Sequence, residues 1–462
     1  MIMKDMNRRD FMKIVGGATA TTGLAACSPK RTIDAGPAPT NQGPVPTDKM
    51  TYRTFPGFVD EKISILGYGC MRFADIENVP HEGKNPLNQD AVNKLIDYAM
   101  EHGVNYYDVA PVYSQGYAER ATGNALKRHP RDKFYVATKL SNFSDPSREV
   151  AMMLYNNSFK NLQVDVIDFY LLHMIGGGGM EQFNKRFIEN GMIEFLKKEQ
   201  ERGKIRHLGF SFHGDIACFD YALKMHDNKE VKWDFVQIQM NFVDWKHASG
   251  FNTPAEYLYG ELEKRGIPVV IMEPLLGGRL SNVPQHIVSR LKQRDPGSSV
   301  ASWSFRYAGS FPKIMTVLSG MVYMEHLQDN IRTYSPLKEL TDEEKQFLYD
   351  TADLMSQYPT IPCNDCKYCM PCPYGLDIPA IFVHYNKCVN EGNVPKSQED
   401  PNYAEARRAF LIGYDRSVPK LRQAAHCTSC NQCTPHCPQN IRIPQEMQRI
   451  DKFIENLKQN TL

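Results

Sequence analysis

Short apolar runs alternate with amphipathic stretches through the middle of the chain. Eight runs rich in β-branched and aromatic residues lie between positions 63 and 318, and each is followed by a stretch with helical periodicity. Eight successive strand–helix units predict an α/β fold, a (β/α)8 TIM barrel. The predicted strands are Ile63–Leu66, Val104–Val109, Phe134–Thr138, Val166–Leu172, Ile205–Phe210, Phe235–Met240, Pro268–Met272 and Ile314–Leu318. The clearest helical stretches are Gln89–Glu101, Arg148–Asn161, Met192–Arg202, Pro254–Lys264 and Val300–Tyr307.

A doubly wound open sheet is the rival architecture. The first strand of such a sheet usually leads into a glycine-rich dinucleotide fingerprint. Gly67–Arg72 matches that fingerprint too weakly, so the pattern favours the barrel, which we expect over residues 50–335.

The first residues resemble an export signal. The pair Arg8-Arg9 precedes a mildly apolar run, Ile14–Ala26. This order is typical of a secretory signal, and the Arg pair resembles a twin-arginine signal. Leu24–Cys27 resembles a lipobox, in which Cys27 becomes a lipid attachment site. A small amphipathic helix is the alternative interpretation.

We therefore expect residues 1–27 to be a twin-arginine signal peptide with a lipobox. Residues 28–49 are rich in Pro and Gly and predict an extended linker. The mature protein would be periplasmic, or a lipoprotein held at the outer face of a membrane through Cys27.

Composition narrows the possible partners. The chain has 54 Lys and Arg against 53 Asp and Glu, a net charge of +1, which gives no reason to expect a nucleic acid partner. No apolar run reaches the roughly 18 residues of a membrane span. The cysteines are the unusual feature, since eight of the 12 lie between Cys363 and Cys437.

Polar residues lie where a barrel would carry out chemistry. Asp108 follows the second predicted strand, Tyr113 lies in its loop, Lys139 ends the third strand and His173 the fourth. These strand ends face one mouth, so the side chains are expected to converge. A Tyr can protonate a carbonyl oxygen if a Lys held by an Asp lowers its pKa, and a His can orient the substrate.

Each of the four residues also has a purely structural interpretation. Tyr113 could be a loop aromatic, Asp108 and Lys139 a structural ion pair, and His173 a core residue. As a set on three consecutive strand ends they favour a catalytic site.

Several motifs carry a family resemblance. Tyr107–Tyr113, Ala137–Lys139 and Asp168–His173 resemble aldo/keto reductases, and Gly203–Ser211, Pro274–Gly278 and Gly320–Asn330 are similar to that family too. The resemblance covers roughly residues 50–335. It implies an NAD(P)-dependent interconversion of a carbonyl and an alcohol, with Asp108, Tyr113, Lys139 and His173 as the catalytic residues.

The resemblance also implies a nicotinamide site. Its cofactor contacts would be Ser211 and Gln237 at the nicotinamide, Leu275, Gly277, Ser319 and Gly320 at the phosphates, and Asn330 near the adenine. Three positions depart from the family pattern. Phe212 stands where many members have Asn after the Ser, and Met272 stands where a Tyr often stacks on the nicotinamide. Val322 or one of its neighbours replaces the basic residue that would hold a 2′-phosphate.

The C-terminal cysteines form two spaced runs. One is Cys-x2-Cys-x2-Cys-x2-Cys-Pro from Cys363, and the other is Cys-x2-Cys-x2-Cys-x3-Cys-Pro from Cys427. This spacing resembles two-cluster bacterial ferredoxins and implies two [4Fe-4S] clusters in a small α-helical domain, residues 336–462. The resemblance assigns Cys363, Cys366, Cys369 and Cys437 to one cluster, and Cys427, Cys430, Cys433 and Cys372 to the other. The short last gap of the first run makes Cys372 the less regular ligand.

Zinc is the rival metal, since paired Cys-x2-Cys also suits a tetrahedral site. Zinc normally needs two separated pairs, whereas each run has three evenly spaced cysteines before Cys-Pro. Disulfides are disfavoured by the i,i+3 spacing. Cys70, Cys218 and Cys388 have no partner pattern and are interpreted as small buried hydrophobes.

Together these features predict an exported iron–sulfur oxidoreductase of the aldo/keto reductase type, acting on a small carbonyl or alcohol with a possible redox partner protein. A nicotinamide bound before export and recycled by the clusters is one way to supply its electrons. The alternative is an electron-transfer or partner-binding protein with an inactive barrel. A third possibility is that the clusters only hold the C-terminal domain together.

Overall fold

The computed structural model describes residues 44–77, 86–248, 252–356 and 360–462, so the predicted signal peptide lies outside the described residues. Eight parallel strands close into a barrel in the order β10-β3-β4-β5-β6-β7-β8-β9, preceded by a two-stranded hairpin, β1-β2. The strands are β1 Tyr52–Phe55, β2 Phe58–Ser64, β3 Leu66–Gly69, β4 Tyr106–Asp108, β5 Tyr135–Leu140, β6 Ile167–Leu172, β7 Ile205–Ser211, β8 Phe235–Gln239, β9 Val269–Met272 and β10 Ile314–Ser319. The closed parallel barrel confirms the predicted fold class.

The first barrel strand was predicted too early in the chain. Ile63 and Ser64 lie in the hairpin, where Ile63 pairs with Arg53, and the barrel strand β3 begins only at Leu66. Gly67 is the physical reason, because a Cβ there would come within 2.8 Å of Thr316 Oγ1 on the neighbouring strand β10. A strand that must approach its neighbour so closely uses Gly, which weakens the apolar signal.

The hairpin closes the N-terminal end of the barrel. Phe55, Phe58 and Ile63 are buried in one cluster with barrel residues such as Phe169 and Met315. The opposite end, formed by the carboxyl ends of the strands, is left for loops.

Helices cover the outside of the barrel, and several begin at side-chain caps. Asn88 Oδ1 accepts from Ala91 N at 3.1 Å, and Ser147 Oγ accepts from Val150 N at 3.3 Å. The barrel helices are α1 Gln89–Glu101, α2 Ala118–Leu126, α3 Arg148–Leu162, α4 Gly179–Phe183, α5 Met192–Glu201, α6 Ile216–Asp227, α7 Asp244–His247, α8 Ala255–Lys264, α9 Gln285–Arg294, α10 Val300–Gly309 and α11 Met324–Tyr334. Short 3-10 turns lie at Tyr113–Gly116, Arg131–Lys133 and Leu276–Ser281, and a π-helix at Asn184–Glu189.

The next helix, α12 Asp342–Ser356, also belongs to the barrel core. Its Leu348 and Ala352 are buried in the barrel's hydrophobic cluster. A second cluster begins at Ile361. The two hydrophobic cores therefore part after α12, later than the boundary expected at residue 336.

The C-terminal domain is helical, with α13 Ile378–Asn390, α14 Tyr403–Ser417, α15 Ile443–Gln459 and 3-10 turns at Lys420–Arg422, Ala424–His426 and Thr434–His436. Asp377 caps α13 by accepting from Ala380 N at 3.3 Å. No helix in the described part of the chain is long and apolar enough to span a membrane.

Candidate active site and cluster sites

A buried ion pair joins two strand ends at the mouth of the barrel. Lys139 Nζ lies 2.5 Å from Asp108 Oδ1 and donates to Val109 O at 2.9 Å. Burial raises the pKa of Asp108 and lowers the pKa of Lys139, and the contact between the two groups opposes both shifts. The contact holds the lysine in one position beside the loop that follows β4.

Tyr113 lies against this pair, as expected for a convergent set. Lys139 Nζ is 4.9 Å from the centroid of the Tyr113 ring, and the rings of Tyr113 and His173 meet edge to face at 5.9 Å. Burial raises the pKa of Tyr113 well above its usual value, and the Asp108 and Glu273 carboxyls add to the rise. Burial dominates the pKa of Tyr113 here, and the lowering by Lys139 that the sequence suggests stays a prediction. The Tyr113 hydroxyl is therefore protonated at neutral pH and has a proton to donate.

His173 is held by residues that the sequence did not point to. Its Nδ1 lies 2.6 Å from Ser141 Oγ, and Arg186 Nη2 donates to the His173 carbonyl at 2.6 Å. Burial lowers the pKa of His173 well below its usual value, so the ring is neutral. When Ser141 donates to Nδ1, the ring proton stands on Nε2, where it can be given to a substrate oxygen. Ser141 and Arg186 lie outside recognisable motifs, and only the fold brings them to His173.

The residues implied for the nicotinamide lie on β7 and β8. Ser211 Oγ accepts from Met174 N at 2.9 Å, so one lone pair is already used. Gln237 Nε2 lies 3.4 Å from Met272 Sδ, and Gln237 Oε1 is buried with no hydrogen-bond partner among the described residues. This end of the mouth still offers one unpaired acceptor. Phe212 is buried and packs on Phe219, with ring centroids 5.1 Å apart.

The residues implied for the phosphates contact other parts of this chain. A Cβ at Gly277 would lie 2.5 Å from the carbonyl oxygen of Asn364, which belongs to the first cysteine run. A Cβ at Gly320 would meet the Arg72 side chain at 3.5 Å. At Gly277 the backbone of the first cysteine run therefore lies against one of the implied phosphate positions, whereas the contact at Gly320 is an ordinary van der Waals distance.

The other implied nucleotide residues are also engaged. Asn330 Nδ2 donates to Ser319 Oγ at 2.9 Å, and both residues are buried. The Leu275 carbonyl accepts from Gly278 N and Leu280 N, each at 3.0 Å, within the turn that follows β9.

The two cysteine runs have the same backbone shape. Asp365 and Lys367 in the first run, and Ser429 and Asn431 in the second, have positive φ between 53° and 65°. They occupy matching positions, two residues after the first cysteine and one after the second. Such reversals turn successive N–H groups inward into a nest, the concavity seen at many iron–sulfur sites. The repeated geometry fits two clusters, one for each run.

Cys437 lies with the first run. Burial, with smaller contributions from neighbouring thiols including Cys437, raises the pKa of Cys363 and of Cys366 to about 12. Backbone N–H groups of Asp365 and Tyr368 donate to these two sulfurs. Thiols so placed bind metal as thiolates.

Cys372 lies with the second run. One cavity is lined by Cys372, Cys427, Cys430 and Cys433, with apolar walls that include Ile378 and Met447. The structure thus brings together the two sets of four cysteines that the ferredoxin resemblance assigned to the two clusters.

A single zinc ion would need a tighter arrangement of the same residues. A zinc site draws its thiolates to about 2.3 Å from one point. Among the described residues no group of three or more His, Cys, Asp or Glu side chains is placed to hold one metal ion. Three other cysteines are buried free thiols, and burial raises the pKa of each to about 12: Cys70, Cys218 and Cys388.

Comparison with known proteins places both domains in families. Residues 65–348 match the aldo/keto reductase family, and residues 362–442 match the 4Fe-4S dicluster domain. The barrel and the family match define an oxidoreductase. The chain belongs to the aldo/keto reductase family and carries a C-terminal 4Fe-4S dicluster domain.

Relatives share the barrel. The uncharacterized oxidoreductase YqkF of Bacillus subtilis is 28% identical over 62% of this chain and 92% of its own length. L-galactose dehydrogenase of Arabidopsis thaliana is 23% identical over 60% of this chain and 86% of its own.

Solved structures show the same fold. An aldo-keto reductase from Bacillus halodurans in its holo form has a TM-score of 0.51 at 23% identity, over 65% of this chain and 96% of its own. An aldo-keto reductase from Klebsiella pneumoniae, in complex with NADPH, has a TM-score of 0.51 at 19% identity, over 66% of this chain and 95% of its own.

Proposed function

We propose that this protein is an iron–sulfur oxidoreductase that interconverts a small carbonyl compound and its alcohol at the barrel mouth. The observation that carries the proposal is the convergence of Tyr113, Lys139, Asp108 and His173 on one buried site. Reduction breaks the π bond of the carbonyl and forms one O–H and one C–H bond, which takes two electrons and two protons.

Each residue of the tetrad has a role in this proposal. Tyr113 gives its proton to the carbonyl oxygen, and its hydroxyl is protonated at neutral pH. Lys139 stabilises the phenolate that is left, and Asp108 holds Lys139 beside it. The neutral His173 donates from Nε2 to the same oxygen and orients the substrate.

The electrons have two possible sources. The family resemblance implies a nicotinamide, and the Klebsiella pneumoniae neighbour holds NADPH. We favour the clusters, because the backbone of Asn364 lies against Gly277, one of the implied phosphate positions. When bound, two clusters held by the eight cysteines would supply electrons one at a time. A one-electron carrier protein would renew them.

Replacement of Tyr113 by Phe tests the function. The full-length protein, purified without air, is supplied with reduced methyl viologen and benzaldehyde, and benzyl alcohol is measured. We expect Tyr113→Phe to lower the rate by about 10²–10⁴-fold. Tyr117→Phe, in the same loop but 56% exposed, is the matched control and should keep the wild-type rate. Equal rates in the Tyr113→Phe variant and the wild-type protein would instead favour an electron-transfer protein with an inactive barrel.

We also propose export by the twin-arginine route and lipidation of Cys27, since the sequence order of Arg8-Arg9, apolar run and Cys27 supports both. Folded export would suit a protein whose clusters are assembled in a reducing compartment. Replacing both arginines by Lys should retain the protein in the cytoplasm. Cys27→Ala should remove labelling by an alkyne palmitate analogue, and Cys218→Ala is the control.

A further inference from the structure

The first cysteine run reaches across to the barrel mouth. Arg72, three residues beyond β3, donates from Nη2 to Asn364 O at 2.6 Å and from Nη1 to Asp365 O at 3.3 Å. Asn364 Nδ2 in turn donates to Glu273 Oε1, just after β9, at 3.1 Å. Three hydrogen bonds thus fasten residues 364–365 between two loops of the barrel.

This contact lies where the family resemblance assigns phosphate binding. Gly277 has a left-handed φ of 67°, and a Cβ there would lie 2.7 Å from Asn364 Cα. Asn364 is only 5% exposed. The glycine that would let a backbone approach a pyrophosphate here lets Asn364 approach instead.

The basic groups near this position are engaged as well. Arg72 is bonded to the carbonyls of residues 364 and 365 and packs on Gly320. Arg279 Nη2 donates to Thr360 Oγ1 at 2.7 Å, in the segment that leads into the first run. Both guanidiniums thus hold the cluster domain through these hydrogen bonds.

We propose that residues 364–365 take the place of the dinucleotide pyrophosphate, so that this barrel does not bind NAD(P)H in the groove its family uses. The exclusion stands on these contacts alone. A corollary rests on the proposed function. In it, a one-electron carrier reduces the substrate at the barrel mouth, and the hydrogen added to the carbonyl carbon comes from solvent.

Nucleotide binding tests the exclusion directly. NADPH and NADH are titrated by fluorescence into the full-length, cluster-loaded protein. We expect no saturation up to about 1 mM for the wild type, and a Kd at least about tenfold lower for Arg72→Ala, which removes the two hydrogen bonds that hold the backbone of residues 364–365 in the groove. Asn252→Ala, which removes a different interdomain hydrogen bond, to Gln439, is the control. The electron paramagnetic resonance spectrum checks that both clusters survive in each variant. Micromolar binding of either nucleotide to the wild type overturns the exclusion.

Reduction of benzaldehyde in D2O separates this inference from the proposed function. With reduced methyl viologen we expect deuterium at the alcohol carbon, measured by mass spectrometry. Turnover driven by NADPH, with protium from the cofactor at that carbon, would overturn the inference and leave the function intact. Absence of turnover with either reductant would overturn the function and its corollary, while the binding result would still decide the exclusion.

Discussion

Arg72 bonds to the backbone of Asn364, and through this contact a barrel loop holds the first cysteine run. The same guanidinium acts on the thiol of Cys366. Positive charge near a cluster stabilises its reduced, more negative form. We therefore expect Arg72→Met to lower the potential of one cluster by tens of millivolts in a redox titration followed by electron paramagnetic resonance. Arg128→Met, a half-exposed arginine on the barrel surface, should leave both potentials unchanged.

Substitutions of Asp108 and Lys139 should have strongly non-additive effects on the free energy of unfolding. Lys139→Met leaves the buried Asp108 carboxylate without its partner, and we expect a loss of about 3–5 kcal/mol in the free energy of unfolding. The double variant Asp108→Asn/Lys139→Met should recover most of that stability, yet stay inactive because the charge beside Tyr113 is gone. Urea unfolding and turnover measure the two effects. A double variant as unstable as the single one would show that the pair's charges are not coupled.

The placement of Cys437 and Cys372 predicts which cluster each one holds. Cys437→Ala should give the same residual spectrum as Cys363→Ala, and Cys372→Ala the same as Cys427→Ala. Iron analysis should fall to about half in each case. Cys388→Ala, at a buried cysteine outside both sets, is the control. A match of Cys372→Ala to Cys363→Ala would mean that each run supplies all four ligands of its own cluster.

His384 predicts acid sensitivity of the cluster domain. It is buried against Phe410 with rings 4.9 Å apart, and burial lowers its pKa from 6.5 to about 4. Between these values the unfolded chain binds a proton that the folded domain does not, so stability is lost as pH falls from 6.5 to 4. The shift corresponds to a loss of about 3 kcal/mol. Below pH 4 this loss levels off.

His384→Gln should flatten this part of the pH profile of thermal unfolding. The amide can still donate to the Phe410 carbonyl, which His384 Nε2 contacts at 3.1 Å. His286→Gln, at an exposed position in α9, should keep the wild-type slope. An unchanged slope in His384→Gln would show that other groups set the acid limit.

The parts of the site that could be predicted from sequence are those whose residues lie close together along the chain. Asp108 and Tyr113 lie in one motif, and each cysteine run is a local pattern, so residue type and order were enough. The barrel followed from eight repeated units. Ile63 was misplaced because its apolar neighbours suit a hairpin as well as a barrel strand.

What the sequence could not predict depends on contacts between distant segments. Asn364 and Gly277 lie far apart along the chain, and nothing in either residue type indicates that the two are in contact. The pKa of Tyr113 depends on burial at the mouth, which spacing does not reveal. Ser141 reaches His173 only because β5 and β6 are adjacent in the barrel.

The hairpin at the closed end of the barrel has a consequence for orientation. The described chain starts beside that end, where the Pro46 carbonyl contacts His102 Nδ1 at 2.7 Å and Met50 is buried. A tether that precedes Pro44 is therefore attached on the side away from Tyr113. A surface attachment or a fusion placed before Pro44 should therefore leave the mouth, and the entry of substrate to Tyr113, unobstructed.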